Sequence, residues 1–161
     1  MTLNPGDSAP DFTLADASDN LVSLAALRGK WVILYFYPRD NTPGCTKEAC
    51  GFREIYGELQ QKNVVLLGVS GDDARAHQKF AQKYDLPFPL LCDPEALVAK
   101  AYESYGPKKF MGKDLQGIYR QTFILAPDGK IARIYPKVKP EPHPAEVLAD
   151  LDELLASEAQ A

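Results

Sequence analysis

Apolar residues in this chain fall into runs of two kinds, and their alternation predicts most of the fold. The seven residues Trp31-Val-Ile-Leu-Tyr-Phe-Tyr37 are apolar on both faces and rich in β-branched and aromatic side chains. That is the pattern of a central strand covered by helices on both sides. Val64-Val-Leu-Leu-Gly-Val69 predicts a second buried strand, and a short third one is expected over 90–92. Between them the spacing turns helical. Ala49, Phe52, Ile55, Tyr56 and Leu59 share one face of a helix that starts at Pro43 and runs to about Gln61, while Ala76, Phe80 and Ala81 mark a more polar helix over 72–84. Further helices are expected over 94–102 and, from Val147, Leu148, Leu151, Leu154 and Leu155, over 144–157. Near the start, two short apolar runs over 12–14 and 21–24 flank a polar stretch and predict a small β-hairpin over the end of the core. Residues 118–126 and 131–135, joined by Pro127-Asp-Gly-Lys130, read as antiparallel strands, and the Gly- and Lys-rich segment 106–117 before them reads as a mobile loop. The sum is an α/β fold with a mixed central β-sheet flanked by helices and an N-terminal β-hairpin.

Composition narrows the function. With 161 residues, no Gly/Ser linker and no repeat, residues 1–161 are expected to form a single domain. A net charge of -4 leaves no basic excess for a phosphate backbone, so no nucleic acid partner is expected. The apolar run at Trp31 is far short of the roughly 20 residues that span a bilayer, so no membrane association is expected either. The N-terminal residues lack the basic start and apolar stretch of a secretory signal, which points to a cytoplasmic protein. Three cysteines make an odd count in a chain too long to need disulfide staples, which fits thiols kept for chemistry or packing.

Ligands of open α/β sheets bind beyond the carboxyl ends of the strands, and Pro38-Arg-Asp-Asn-Thr-Pro-Gly-Cys45 occupies that position for the most buried strand. With Thr42 as N-cap and Pro43 at the first helical position, Cys45 falls in the first turn. Unpaired backbone N–H groups and the positive end of the helix dipole favour a thiolate there, and the same groups can hold the oxygens of a small polar substrate. Cys50 follows five residues later. On an intact helix two such Cα atoms lie roughly 9 Å apart, whereas a disulfide needs less than about 7 Å. A bond between Cys45 and Cys50 therefore requires the first helical turns to unwind, which predicts a switch between a folded dithiol and a locally unfolded disulfide.

At these residues the sequence resembles the peroxiredoxins, in particular the subgroup called bacterioferritin comigratory protein or peroxiredoxin Q. Pro38, Thr42 and Cys45 match the family's P-x-x-x-T-x-x-C pattern, and Cys45-Thr-Lys-Glu-Ala-Cys50 with Phe52-Arg53 is similar to the subgroup's two-cysteine helix. Gly106-Pro-Lys-Lys, Gly117-Ile-Tyr-Arg120 and Thr122-Phe-Ile-Leu follow in the expected order, so the resemblance runs from about Gly6 to Leu155. It implies a thioredoxin-like fold and a thiol peroxidase acting on hydrogen peroxide and organic hydroperoxides. By resemblance Cys45 attacks the peroxide and becomes a sulfenic acid, Cys50 resolves it as an intramolecular disulfide, and thioredoxin or a related dithiol reduces the protein. The resemblance also gives Arg120 a fixed positive charge near Cys45, Thr42 a hydrogen bond to sulfur and peroxide, and Pro38 the shielding of the thiolate. It further implies a monomer, with no exposed apolar stripe calling for a partner. Cys92 and the proline-rich Pro140-Glu-Pro-His-Pro144 depart from the subgroup's pattern.

Each signal has a plainer reading. A lone Cys45 would be a small buried hydrophobe, Cys50 would pack beside Ala49, and Cys92 reads as a structural thiol. Arg120, among apolar residues, is either a functional charge or half of a structural ion pair. Arg39, Asp40, Lys47 and Glu48 read as solvated, and His77 and His143 as histidines in polar settings without metal-ligand spacing. C-x4-C with distant His is not a usual zinc spacing, so no metal is expected, and Gly68-Val-Ser-Gly71 lacks the Gly-Lys-Ser/Thr of a phosphate loop while no G-x-G-x-x-G occurs, so no cofactor is expected either. The rival to an enzyme is a peroxide-responsive redox sensor that exposes a surface when the Cys45–Cys50 helix unfolds. A general disulfide oxidoreductase would use C-x-x-C, which is absent.

Overall fold

A computed structural model describes residues 2–160. The run at Trp31 forms an inner strand of a seven-stranded sheet. In chain order the strands are β1 (Thr13–Asp16), β2 (Leu21–Ser23), β3 (Trp31–Phe36), β4 (Val64–Ser70), β5 (Leu90–Cys92), β6 (Tyr105–Phe110), β7 (Lys113–Ile118), β8 (Gln121–Leu125) and β9 (Ile131–Tyr135). The helices are α1 (Pro43–Gln61), α2 (Ala74–Tyr84), α3 (Leu97–Ala101) and α4 (His143–Gln160). The sheet runs in the order β2-β1-β5-β4-β3-β8-β9, with β3, β4 and β5 parallel and the outer pairs antiparallel. Successive side chains of β3 alternate between two cores. Ile33 and Tyr35 pack with Ala49, Phe52 and Leu59 of α1, Phe80 of α2, and Val147 and Leu151 of α4. Val32, Leu34 and Phe36 pack with Phe12, Ala99 of α3, Tyr102 and Phe123.

Four expectations change. The N-terminal hairpin forms, but it extends the sheet: β1 pairs with β5 through Ala15–Cys92 and Asp16–Leu91, which satisfies the backbone of what would be an open edge. The helix expected over 94–102 is only Leu97–Ala101, because Ala96 takes a left-handed φ of 54° and the Asp93 carboxylate accepts from the amides of Val98 and Ala99. Segment 106–117 is not a loop but most of a regular hairpin, with β6 and β7 paired from Tyr105–Ile118 to Phe110–Lys113. Its turn residues Met111 and Gly112 have φ of 52° and 78°, the positive pair of a type I′ turn. Finally, the strand expected over 118–126 is interrupted, and Arg120 sits in the gap between β7 and β8.

Candidate active site

β3 ends at Phe36, and Tyr37 continues inward before the chain turns through residues 38–42 into α1. Thr42 is the N-cap by backbone geometry, and its carbonyl accepts from the Thr46 amide at 2.8 Å. Its hydroxyl does not cap the helix. It donates to the Arg39 carbonyl at 3.1 Å. The first-turn amides of Gly44 and Cys45 therefore gain no side-chain cap, so the N–H groups beside the sulfur remain donors for an incoming oxygen.

Cys45 is 1% exposed. The Arg120 guanidinium reaches it from the β7–β8 gap: Nη2 donates to Sγ at 3.3 Å, while Nη1 donates to Glu48 Oε1 at 2.9 Å. One planar fork thus holds sulfur and carboxylate together, which an ammonium could not do with the same geometry. The approach depends on Gly44, because a Cβ there would lie 3.0 Å from Arg120 Nη2 and 3.4 Å from Pro140 Cγ. Burial lowers the Arg120 pKa, but Cys45 and Glu48 outweigh it and the guanidinium is held charged. Lys108 of β6 adds a second cation nearby. Its Nζ donates to the Ile118 carbonyl at 2.9 Å, and burial and the Arg120 charge pull its pKa down while Cys45 pulls it up.

Glu48 corrects the expectation of a solvated helix residue. It is fully buried, and Oε2 has no hydrogen-bond partner. Burial pushes its carboxyl up to about 7 against the opposing pull of Arg120. The signal was in the spacing: Cys45, Glu48, Ala49 and Phe52 follow the i, i+3, i+4, i+7 pattern of one buried stripe. Asp40, His77 and His143 are likewise not in open polar settings. His77 is buried between Asp40 and the Leu91 carbonyl, and His143 between Thr122 and Glu146.

The other site residues are brought together only in part. Cys50 lies half-buried on the same unbroken helix, and both thiols are free. Pro38 is half-buried and lines a cavity of about 330 Å³ with Gly71, Asp93, Tyr105 and Ile118. Cys92 stands at the end of β5 against the N-terminal hairpin. Burial, followed by the charges of Asp73, Asp40, Asp16 and Asp19, pushes its thiol up to about 11.

A buried thiol at a helix N-terminus, bound by a guanidinium and set at the carboxyl edge of a mixed sheet, defines a thiol-based redox protein. The AhpC/TSA family model matches residues 5–134, and the chain belongs to that family, in its Bcp/peroxiredoxin Q branch of peroxiredoxins. Its fold is the thioredoxin-like peroxiredoxin fold, and it is a thiol peroxidase that takes peroxide substrates and a thiol reductant. Peroxiredoxin Bcp of Bacillus subtilis is 41% identical over 96% of this chain and 98% of that protein. A Coxiella burnetii protein assigned as a peroxiredoxin bcp is 48% identical over 94% of this chain and the whole of the relative. Among solved structures, a PrxQ variant of Xylella fastidiosa superposes with a TM-score of 0.90 at 31% identity, covering 96% of this chain and 99% of the other. The bacterioferritin comigratory protein of Xanthomonas campestris, studied for alkyl peroxide reduction, gives 0.87 at 33% identity over 95% and 96%. Among the described residues, no helix is long and apolar enough to cross a membrane.

Proposed function

We propose that Cys45 is the peroxidatic nucleophile and Cys50 its resolving partner, with Arg120, Thr42 and Pro38 shaping the site. The observation that carries this is the 3.3 Å contact from Arg120 Nη2 to Cys45 Sγ in the uncapped first turn of α1. The Cys45 thiolate attacks one oxygen of the peroxide, the O–O bond breaks, sulfur becomes a sulfenic acid, and the leaving alkoxide or hydroxide takes up a proton. Arg120 and the free amides of α1 stabilise the charge that moves from sulfur to the leaving oxygen. The Thr42 hydroxyl, which donates to Arg39 in the resting site, offers its lone pairs to the hydroperoxide proton. Cys50 then attacks the sulfenic sulfur, water leaves, and the disulfide forms once the first turns of α1 unwind. A dithiol such as thioredoxin exchanges with that disulfide and restores both thiols.

Hydrogen peroxide and organic hydroperoxides are the proposed substrates, the latter supported by the alkyl peroxide work on the Xanthomonas campestris relative. We further propose a single-domain monomer of the cytoplasm. The free cysteines suit a reducing compartment, and the exposed large apolar side chains Leu21, Leu97, Met111 and Leu115 are distributed over β2, α3 and the β6–β7 hairpin.

The test is one equivalent of hydrogen peroxide added to the reduced protein, followed by intact mass and non-reducing peptide mapping. Loss of two hydrogens with a Cys45–Cys50 link is expected. A stable oxygen adduct on Cys45 would remove Cys50 from the mechanism, and an unmodified Cys45 would overturn the assignment. Multiple turnovers with a dithiol reductant distinguish the enzyme from a sensor.

A further inference from the structure

The segment that leads into Cys45 is fastened to the body of the protein at one buried point. Asp40, five residues before Cys45, accepts the Tyr37 hydroxyl on Oδ1 at 2.5 Å, and its Oδ2 lies 2.6 Å from Nδ1 of His77. His77 belongs to α2 and is fully buried, with Nε2 2.9 Å from the Leu91 carbonyl on β5. A carbonyl oxygen only accepts, so Nε2 carries a hydrogen. A carboxylate oxygen 2.6 Å from Nδ1 then needs a second proton between the two atoms. Asp72 completes the attachment, accepting the Asp40 amide and the Ser70 hydroxyl on one oxygen at 2.8 Å each. Both main chain and side chain of Asp40 are thereby held. The next residue, Asn41, takes a φ of 60° and the chain turns into α1.

We propose that His77 and Asp40 are positioning residues for peroxide reduction: the proton between them clamps the strand-to-helix segment in its reactive form, and its loss releases that segment to unwind. This rests on the assignment of Cys45 and Cys50 above, because peroxide attack needs the folded first turn and disulfide formation needs it open. Asp40 marks the upstream limit of the part that must move. Once that proton is lost, a neutral imidazole has one hydrogen for two acceptors, so a lone pair faces either the Asp40 carboxylate or the Leu91 carbonyl, and one of the two bonds that tie Asp40 through His77 to β5 becomes a repulsion.

The direction with pH follows from the surroundings. Burial lowers the His77 pKa, but the Asp40 hydrogen bond and charge, the Leu91 carbonyl and Asp72 outweigh it, leaving the imidazole above its ordinary value. A group raised by folding holds its clamp in full below the unfolded value of about 6.5 and loses it as pH climbs through the folded value. The other groups around it are Tyr37, Cys92, Asp72, Asp73 and the cations Arg39, Lys79 and Lys83, which line a cavity of about 410 Å³ beside Asp40. Burial keeps Tyr37 well above its ordinary range and Cys92 at about 11, so neither competes with His77 at moderately alkaline pH.

The experiment uses the full reduced chain between pH 6 and 9. Amide exchange over 40–50 is read relative to the β3 core and corrected for intrinsic exchange, and rapid quench gives the rates of peroxide consumption and disulfide formation. In the unsubstituted protein, protection of 40–50 is expected to fall as pH rises. Glu48 titrates in the same range, so the differences between variants read the clamp. His77→Gln is expected to lose about tenfold of that protection at pH 6.5, the size of one charge-assisted hydrogen bond. It should also consume peroxide severalfold more slowly without slowing disulfide formation. In Asp40→Asn the amide can donate to neutral Nδ1, so protection should survive while its pH dependence attributable to His77 disappears. A His77→Gln protein that melts earlier yet keeps the protection and pH profile of 40–50 would reduce the histidine to core packing and overturn the proposal. If that variant does not fold, an Asp40→Asn profile identical to the unsubstituted one overturns it instead. Failure of Cys45 to react with peroxide would sink the site assignment, while the exchange data on reduced protein would still decide the clamp.

Discussion

Cys45 lies in the first turn of α1 and Cys92 at the end of β5, and their surroundings are opposite in sign. Cys45 is the more deeply buried, yet a guanidinium touches its sulfur, uncapped helix amides lie beside it, and Lys108 is close by. Cys92 is more open to solvent, yet burial and four aspartates hold its thiol protonated to about 11. Exposure alone would point to Cys92, and charge points to Cys45. What distinguishes the proposed nucleophile from the other thiol is the charge that the fold gathers around each sulfur.

The sharpest way to break that contrast is to remove the charge at Cys45. Arg120→Gln is expected to lower the second-order rate constant for hydrogen peroxide by at least about a hundredfold, the usual cost of losing one preorganised donor to a developing charge. Arg120→Lys should recover only part of it, because an ammonium cannot donate to Cys45 and Glu48 with the spread of a fork. Stopped-flow or competition kinetics read the effect. A loss smaller than threefold in both variants would mean that the helix N-terminus suffices.

Glu48 offers a smaller effect with a defined pH window. Its carboxyl rises to about 7 in the folded protein from an ordinary value near 4.5, so between those values the folded state holds a proton that the unfolded state has released. Stability therefore falls as pH rises through that window, by about 3 kcal/mol in all. Glu48→Gln should flatten that slope in denaturant titrations between pH 4.5 and 8. An unchanged slope would show that Arg120 fully compensates the buried carboxylate.

The strands and helices that bracket the site were legible because their signals are local. The apolar run of β3, the Thr42-Pro43 helix start and the repeat from Ala49 to Leu59 each lie within one element. The β6–β7 hairpin was not, since its Gly and Lys residues share the composition of a loop and its only turn marker is a Met–Gly pair. Arg120 stayed ambiguous because its partners Glu48 and Cys45 lie 72 and 75 residues away, and Asp40 meets His77 across 37 residues. Partnerships of that range are decided by packing, which no window of sequence contains. Glu48 is the exception: its place on the buried stripe of α1 was readable, and a default that charged residues face water concealed it.

Cys92 supplies the smallest effect and the control for all the others. A thiol held to about 11 is almost wholly protonated at pH 8, so iodoacetamide should label Cys92 much more slowly in the native reduced protein than after unfolding. Cys92→Ser keeps a small side chain on β5 beside Ala15, where the cost of replacing a half-buried thiol should stay near about 1 kcal/mol. Peroxide turnover should remain within about twofold, because no contact in the Arg120–Cys45–Glu48 group passes through β5. Fast native labelling of Cys92 would mean that the aspartates around it do not suppress its thiolate, and the contrast of charge between the two cysteines would fail on its quieter side.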